Sequence, residues 1–397
     1  MKPTRIVPSA LLVLSLAVVL GAAPSVEKTT AATVAKPTER VESQAPVRAK
    51  ALDWVLKNQR SDGGWASGAT QQVDQTTAAS DVATTAMGVM ALQRDDPTRH
   101  RPQTVKGLLF ILAAVENAPE EGIRLRTPYP TQIQRKLGEA VDLHLAALVL
   151  GESSGQYEEL NPRISSALDK VTLKVMEAQS SDGSFAKDGW APVLSTSIAN
   201  QALTKAADKG VEVDLDVIAS ADDFTAGRGG LGGAGFGGGG SAGVALYDIA
   251  TTLQGSATAE ARAEIIEQSI TIDESEASRE KKREVVAKAH ETANGRSYQS
   301  AMAAVTDDQA AVVRGFGSIG GEEILSYLMI SDALAKQGST EFAAWESKIT
   351  ETLGAHQGAD GSLAGHHCIT SRAFTTAGTV MTLAAREHYK RDQTASR

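Results

Sequence analysis

Gln59-Arg60-Ser61-Asp62-Gly63-Gly64-Trp65 returns as Gln179-Ser180-Ser181-Asp182-Gly183-Ser184-Phe185 and again as Gln357-Gly358-Ala359-Asp360-Gly361-Ser362-Leu363. Ahead of each glutamine, residues four apart are apolar: Ala51 and Val55, Val171 and Val175, Ile349 and Leu353. That spacing marks one face of a helix. Behind each copy runs a second helical stretch rich in small residues, Thr and Ser, over Asp81–Leu92, Thr196–Ala207 and Thr370–Ala385. The unit is helix, Asp-Gly turn, helix. Asp62, Asp182 and Asp360 are expected to accept bonds from backbone amides just ahead. Gly63, Gly183 and Gly361 are expected to take the positive φ such a turn needs. Trp65, Phe185 and Leu363 are expected to fold back between helices.

The second glutamine follows the first by 120 residues and the third follows the second by 178, near two and three multiples of about 60, so degenerate copies are expected between them. Val105–Val115 with Ala140–Leu150 reads as one helix pair and Gly243–Leu253 with Ala261–Ile270 as another. Glu322–Lys336 precedes Trp345–Leu353 in the last. Five or six pairs fit between Arg48 and Arg391.

Three such turns in register resemble the Q-x-x-D-G-[GS]-W turns of the prenyltransferase and squalene cyclase repeat superfamily. The chain is most similar to uncharacterised secreted bacterial members, through Gly315-Phe316-Gly317-Ser318-Ile319-Gly320-Gly321-Glu322-Glu323 and His367-Cys368-Ile369-Thr370-Ser371-Arg372-Ala373-Phe374. The resemblance implies an all-α fold over residues 48–391, an α/α toroid of about five to six helix hairpins whose inner helices line a central cavity. It supplies no function by itself.

The 397 residues carry 39 Lys and Arg against 48 Asp and Glu, a formal charge of −9. An acidic chain repels a phosphate backbone, so nucleic acid is not an expected partner. Lys2 and Arg5 followed by the apolar run Ala10–Leu20 and Gly21-Ala22-Ala23 read as a signal peptide over 1–25. Export to the periplasm, the cell surface or the medium follows, with membrane contact only through that segment if it is uncleaved. Residues 26–47 mix Thr, Ala, Lys, Glu and Pro without periodicity and read as a flexible linker, and 392–397 as a tail. The single cysteine, Cys368, excludes an intrachain disulfide. Residues 227–243 hold 11 glycines in 17 positions, which requires a loop. The fingerprint-like Gly233-x-Gly235-x-x-Gly238 within it follows no strand and is not read as a nucleotide site.

Terpene cyclases of the superfamily protonate a polyene through D-x-D-D and stabilise cations with aromatic faces. Here Asp222-Asp223 and Asp307-Asp308 lack the earlier Asp, and 4 Trp, 6 Tyr and 7 Phe are too few for plugs and a cavity wall together. Protein prenyltransferases place a zinc-binding Asp two residues before the Cys, where this chain has His366. No cofactor and no metal is expected. The densest polar group is a candidate rim site of Glu322, Glu323, His367, Cys368 and Arg372, suited to an anionic or polar ligand at inner-helix starts. Alternatives are zinc on His and Cys, a Cys-His nucleophile completed by Asp360 or Glu323, and paired glutamates as acid and base. In the structural alternative Asp81, Ser195 and Thr370 or Ser371 cap helices, and Arg372 pairs with a carboxylate of the preceding repeat. The leading expectation is a non-catalytic module binding a small-molecule, peptide or protein ligand. An enzyme (lyase, hydrolase or transferase) working in the central cavity and a structural envelope component are the competitors.

Overall fold

The described helices are of two kinds, told apart by how much of each is buried. The computed structural model describes residues 37–67, 78–125, 131–187, 189–228, 241, 244–271, 273–315 and 317–395. The expected signal peptide, Phe316 and most of the 227–243 glycine segment lie outside them. The described residues form α1 (Pro37–Lys57), α2 (Val82–Asp95), α3 (Arg101–Glu116), α4 (Gln132–Leu137), α5 (Val141–Ser153), α6 (Asn161–Glu177), α7 (Pro192–Asp208) and α8 (Leu215–Arg228). They continue with α9 (Ala245–Ser269), α10 (Glu276–Asn294), α11 (Arg296–Asp307), α12 (Gln309–Arg314), α13 (Gly321–Lys336), α14 (Phe342–His356) and α15 (Arg372–Ala395). No strand occurs among the described residues, only the isolated bridges Trp65 to Asp81 and Gly320 to His367. The chain is all-α.

Val82 to Arg94 of α2, Val141 to Gly151 of α5 and Gly321 to Leu334 of α13 are buried without interruption. A helix buried all round has neighbours on every side. By contrast α6 buries a single stripe, Ile164, Ala167, Leu168, Val171, Thr172, Lys174 and Val175, which is the pattern of an outer layer. The packing partners follow a circuit. α2 lies on α5, α5 on α7, α7 on α9, α9 on α13, α13 on α15, and α15 back on α2. Outside it α3 packs on α2 and α6, α6 on α5, α8 on α7 and α9, and α14 on α1 and α13.

The three Asp-Gly turns share one bonding scheme. Asp62, Asp182 and Asp360 each accept the amide two residues on, at 3.0, 3.1 and 3.2 Å. Each glutamine amide donates to the carbonyl four residues on, that of Gly63, Gly183 or Gly361. It also donates to a carbonyl beyond the turn, of Gln103 in α3, Val217 in α8 or Val47 in α1, at 2.8, 2.7 and 2.8 Å. Gly361 has φ +90°, and a Cβ there would lie 2.4 Å from the Lys50 carbonyl of α1, so the turn needs glycine on both counts. The last turn is thereby sewn to the first helix. Trp65, Phe185 and Leu363 are buried plugs, and Trp65 sits where a Cβ on Gly88 would meet its ring at 2.7 Å.

A second clasp lies at the opposite ends of the buried helices. Arg94 Nη1 reaches both carboxylate oxygens of Asp332 in α13, at 2.7 and 2.8 Å, and Nη2 reaches Glu152 in α5 at 3.3 Å. Arg48 of α1 pairs with Asp95 at 3.2 Å and with Glu387 of α15 at 3.2 Å.

Several boundaries differ from the sequence reading. α1 begins at Pro37, inside the stretch expected as a linker, and α15 runs to Ala395, inside the expected tail. Gly243–Leu253 and Ala261–Ile270 do not form two helices. Ala245–Ser269 is one, because Gly255 stands in open space and nothing forces a break. Ser195 is no cap. It lies within α7, its Oγ 3.3 Å from His144 Nδ1, and α7 starts at Pro192, whose missing N–H suits a first turn. α10, whose sequence mixes both charges, turns Val286 and Ala289 onto Ala259, Ala263 and Ile266 of α9.

Candidate binding rim at the start of α13

Gly320 and Gly321 open α13 because a second segment lies almost against them. Residues 318–321 run parallel to 366–369, with His366 N donating to Ile319 O at 2.7 Å and Gly321 N to Ile369 O at 2.9 Å. A Cβ on Gly320 would stand 2.7 Å from the His367 carbonyl, and one on Gly321 would stand 2.6 Å from the Ile369 side chain. This close approach carries His367 and Cys368 over the first turn of α13, which holds Glu322 and Glu323. Cys368 has φ +52°, the one described non-glycine residue in that region. The surrounding bonds impose this uncommon conformation.

Both glutamates are fully buried. Glu323 Oε1 accepts from the Tyr247 hydroxyl of α9 at 2.7 Å, and Oε2 accepts from Gly320 N at 2.9 Å. His367 Nε2 lies 3.2 Å from Glu323 Oε2 and 3.0 Å from the Ser318 carbonyl. Both neighbours are acceptors, which assigns the hydrogen to Nε2. Glu322 Oε2 accepts from Ile369 N at 3.2 Å and the Cys368 thiol acts on the same carboxyl as a donor, whereas Oε1 is buried with no hydrogen bond of its own.

Burial, reinforced by Glu323, pushes the Glu322 carboxyl from an ordinary 4.5 up to about 7. Burial and then Glu322 push the Cys368 thiol from 9.0 up to about 11. The Tyr247 phenol is driven well up by burial and Glu323, so it stays a donor. A thiol held protonated is a poor nucleophile. Among the described residues no three His, Cys, Asp or Glu side chains are arranged to hold a metal ion.

Arg372 does not join this group. Its guanidinium is held by Asp360 and by the Ser362 hydroxyl, and lies 5.6 Å from the centre of the Trp54 ring. Its carboxylate partner belongs to its own repeat's turn, not to the preceding repeat, because Arg372 starts α15 directly beside that turn. Ser371 caps α15, its Oγ accepting from Phe374 N at 3.2 Å. Thr370 instead bonds Gln132 of α4 through both its amide and its hydroxyl.

Tyr247, Lys136 and Trp190 were not singled out in the sequence. The Trp190 ring stands edge-on to Tyr247 at 6.4 Å and has the Lys136 ammonium 5.5 Å from its centre. A tyrosine in the first turn of a buried helix was a usable signal, but its carboxylate partner lies 76 residues away. No family model, curated protein or solved structure matches the chain.

Proposed function

We propose that this chain is an exported α/α toroid of the prenyltransferase and squalene cyclase repeat type, a module that binds a ligand at the α13 rim without transforming it. The circuit of buried helices and the three sewn Asp-Gly turns support the toroid. Export rests on the Lys2–Ala23 pattern of the sequence, and no described helix is long and apolar enough to cross a membrane.

The observation that carries binding is the open oxygen of Glu322. A buried acceptor without a donor costs about 1 to 3 kcal/mol, a deficit that a ligand donor removes. The protonated Cys368 thiol and the engagement of Asp360 by Arg372 count against a Cys-His nucleophile. The enzymatic alternative keeps one favourable observation, the titration of Glu322 near neutrality, which suits general acid or base work. Mass spectrometry of small molecules and proteins retained on the purified chain discriminates the two. A compound carried by the wild type, lost from Glu322→Gln and released unchanged supports the module. Release of an altered compound refutes it.

A further inference from the structure

Three of the four carboxylate oxygens at the rim already have donors. These are the Tyr247 hydroxyl, the Gly320 and Ile369 amides and His367 Nε2. None of the first three carries a formal charge. Arg372, four residues past Cys368, is held by Asp360. Two carboxyls on successive residues therefore share a buried site with one oxygen, Glu322 Oε1, left open. A neutral hydroxyl could fill that oxygen but would leave the mutual repulsion of the pair untouched. A cation meets both deficits.

The flank of the site supplies the complementary surface. Trp190, 36% exposed, is one of three exposed large apolar side chains among the described residues, and it leads through Tyr247 to Glu323. Its ring already carries an ammonium, that of Lys136 at 5.5 Å. An indole face prefers cations for the same quadrupole reason whether the cation belongs to the chain or to a ligand.

Resting on the binding-module proposal, we infer that the rim takes an organic ammonium ligand, one N–H bonded to Glu322 Oε1 and the hydrocarbon portion lying against Trp190. The groups around Glu322 are Glu323 on α13, Tyr247 on α9, and His367 and Cys368 on the paired segment, and the Lys136 ammonium of α4 acts on Cys368. Because the ligand needs the ionised carboxyl, binding releases a proton when Glu322 titrates at about 7. Affinity then rises about tenfold from pH 6 to pH 8, following the ionised fraction of one such group. Lys136 competes for the indole, so removing its charge tightens binding.

Calorimetric titration of the full chain tests this with phenethylamine, phenethyl alcohol and phenylacetate at pH 6 and pH 8. Each titration is run in two buffers of different ionisation heat, so that proton release is counted. The expected result is binding of the amine alone, about tenfold tighter at pH 8 and with proton release. Glu322→Gln should weaken it at least tenfold and abolish its pH dependence, and Lys136→Met should strengthen it. Trp190→Ala, at a partly exposed position, should weaken the amine several-fold and serves as the second variant if Glu322→Gln folds poorly. Binding of the alcohol or the carboxylate that depends on Glu322 overturns the ammonium assignment and leaves the binding module standing. Absence of binding by all three probes, or amine binding indifferent to both variants, also overturns the assignment. Only a purified chain that retains no compound at all counts against the module itself.

Discussion

Replacing Glu322 by Gln should make the protein more stable at alkaline pH, and the size of the gain follows from one group. Glu322 titrates near 4.5 in an unfolded chain and at about 7 in the folded one. Between those values the folded state holds a proton that the unfolded state has lost, so stability falls as pH rises. Each unit of displacement corresponds to about 1.4 kcal/mol, which gives about 3 kcal/mol over the whole window and about 2.5 kcal/mol between pH 5 and pH 8. Glutamine is nearly isosteric with the protonated acid and does not titrate. Carboxylates away from the pair titrate alike in both proteins, so the difference between wild type and Glu322→Gln isolates this group together with its coupling to Glu323. Urea unfolding at half-unit steps from pH 5 to pH 8 measures it. The variant should gain about 2.5 kcal/mol on the wild type across that range. A difference that stays constant with pH would mean that Glu322 is ionised and compensated in the folded protein, and the account of its burial would be wrong.

The turn that joins the last repeat to the first helix gives a second test. Gly361→Ala combines a left-handed φ with a Cβ 2.4 Å from the Lys50 carbonyl and should cost about 2 kcal/mol or more, read as a lower denaturation midpoint. Arg94→Ala leaves Asp332 buried without its cation and should cost about 3 to 5 kcal/mol, whereas the double change Arg94→Met with Asp332→Leu should recover most of it. Arg372→Ala removes a half-exposed pair with Asp360 and should cost under about 1 kcal/mol, with ligand retention unchanged. Loss of retention in that variant would return Arg372 to the rim.

The sequence by itself set the helical class and the local chemistry of the turns. The bond from the Asp62 carboxylate spans two residues and that from Gln59 to Gly63 spans four, distances that chain geometry fixes before any packing. It also identified Glu322, Glu323, His367 and Cys368 as a polar concentration, since titratable groups crowd at these expected inner-helix starts. Which of them meet was decided by tertiary structure. Glu323 finds Tyr247 across 76 residues and Glu322 finds Ile369 across 47. Arg372 was expected with them and turns to Asp360, because a residue at a helix start takes the carboxylate its own turn presents. The left-handed Cys368 carries no sequence signature either, since a parallel segment more than 40 residues away holds it there. Gln357 shows both levels in one side chain. Its bond to Gly361 could be read from spacing, while its bond to Val47, 310 residues back, exists only because the last turn packs on the first helix.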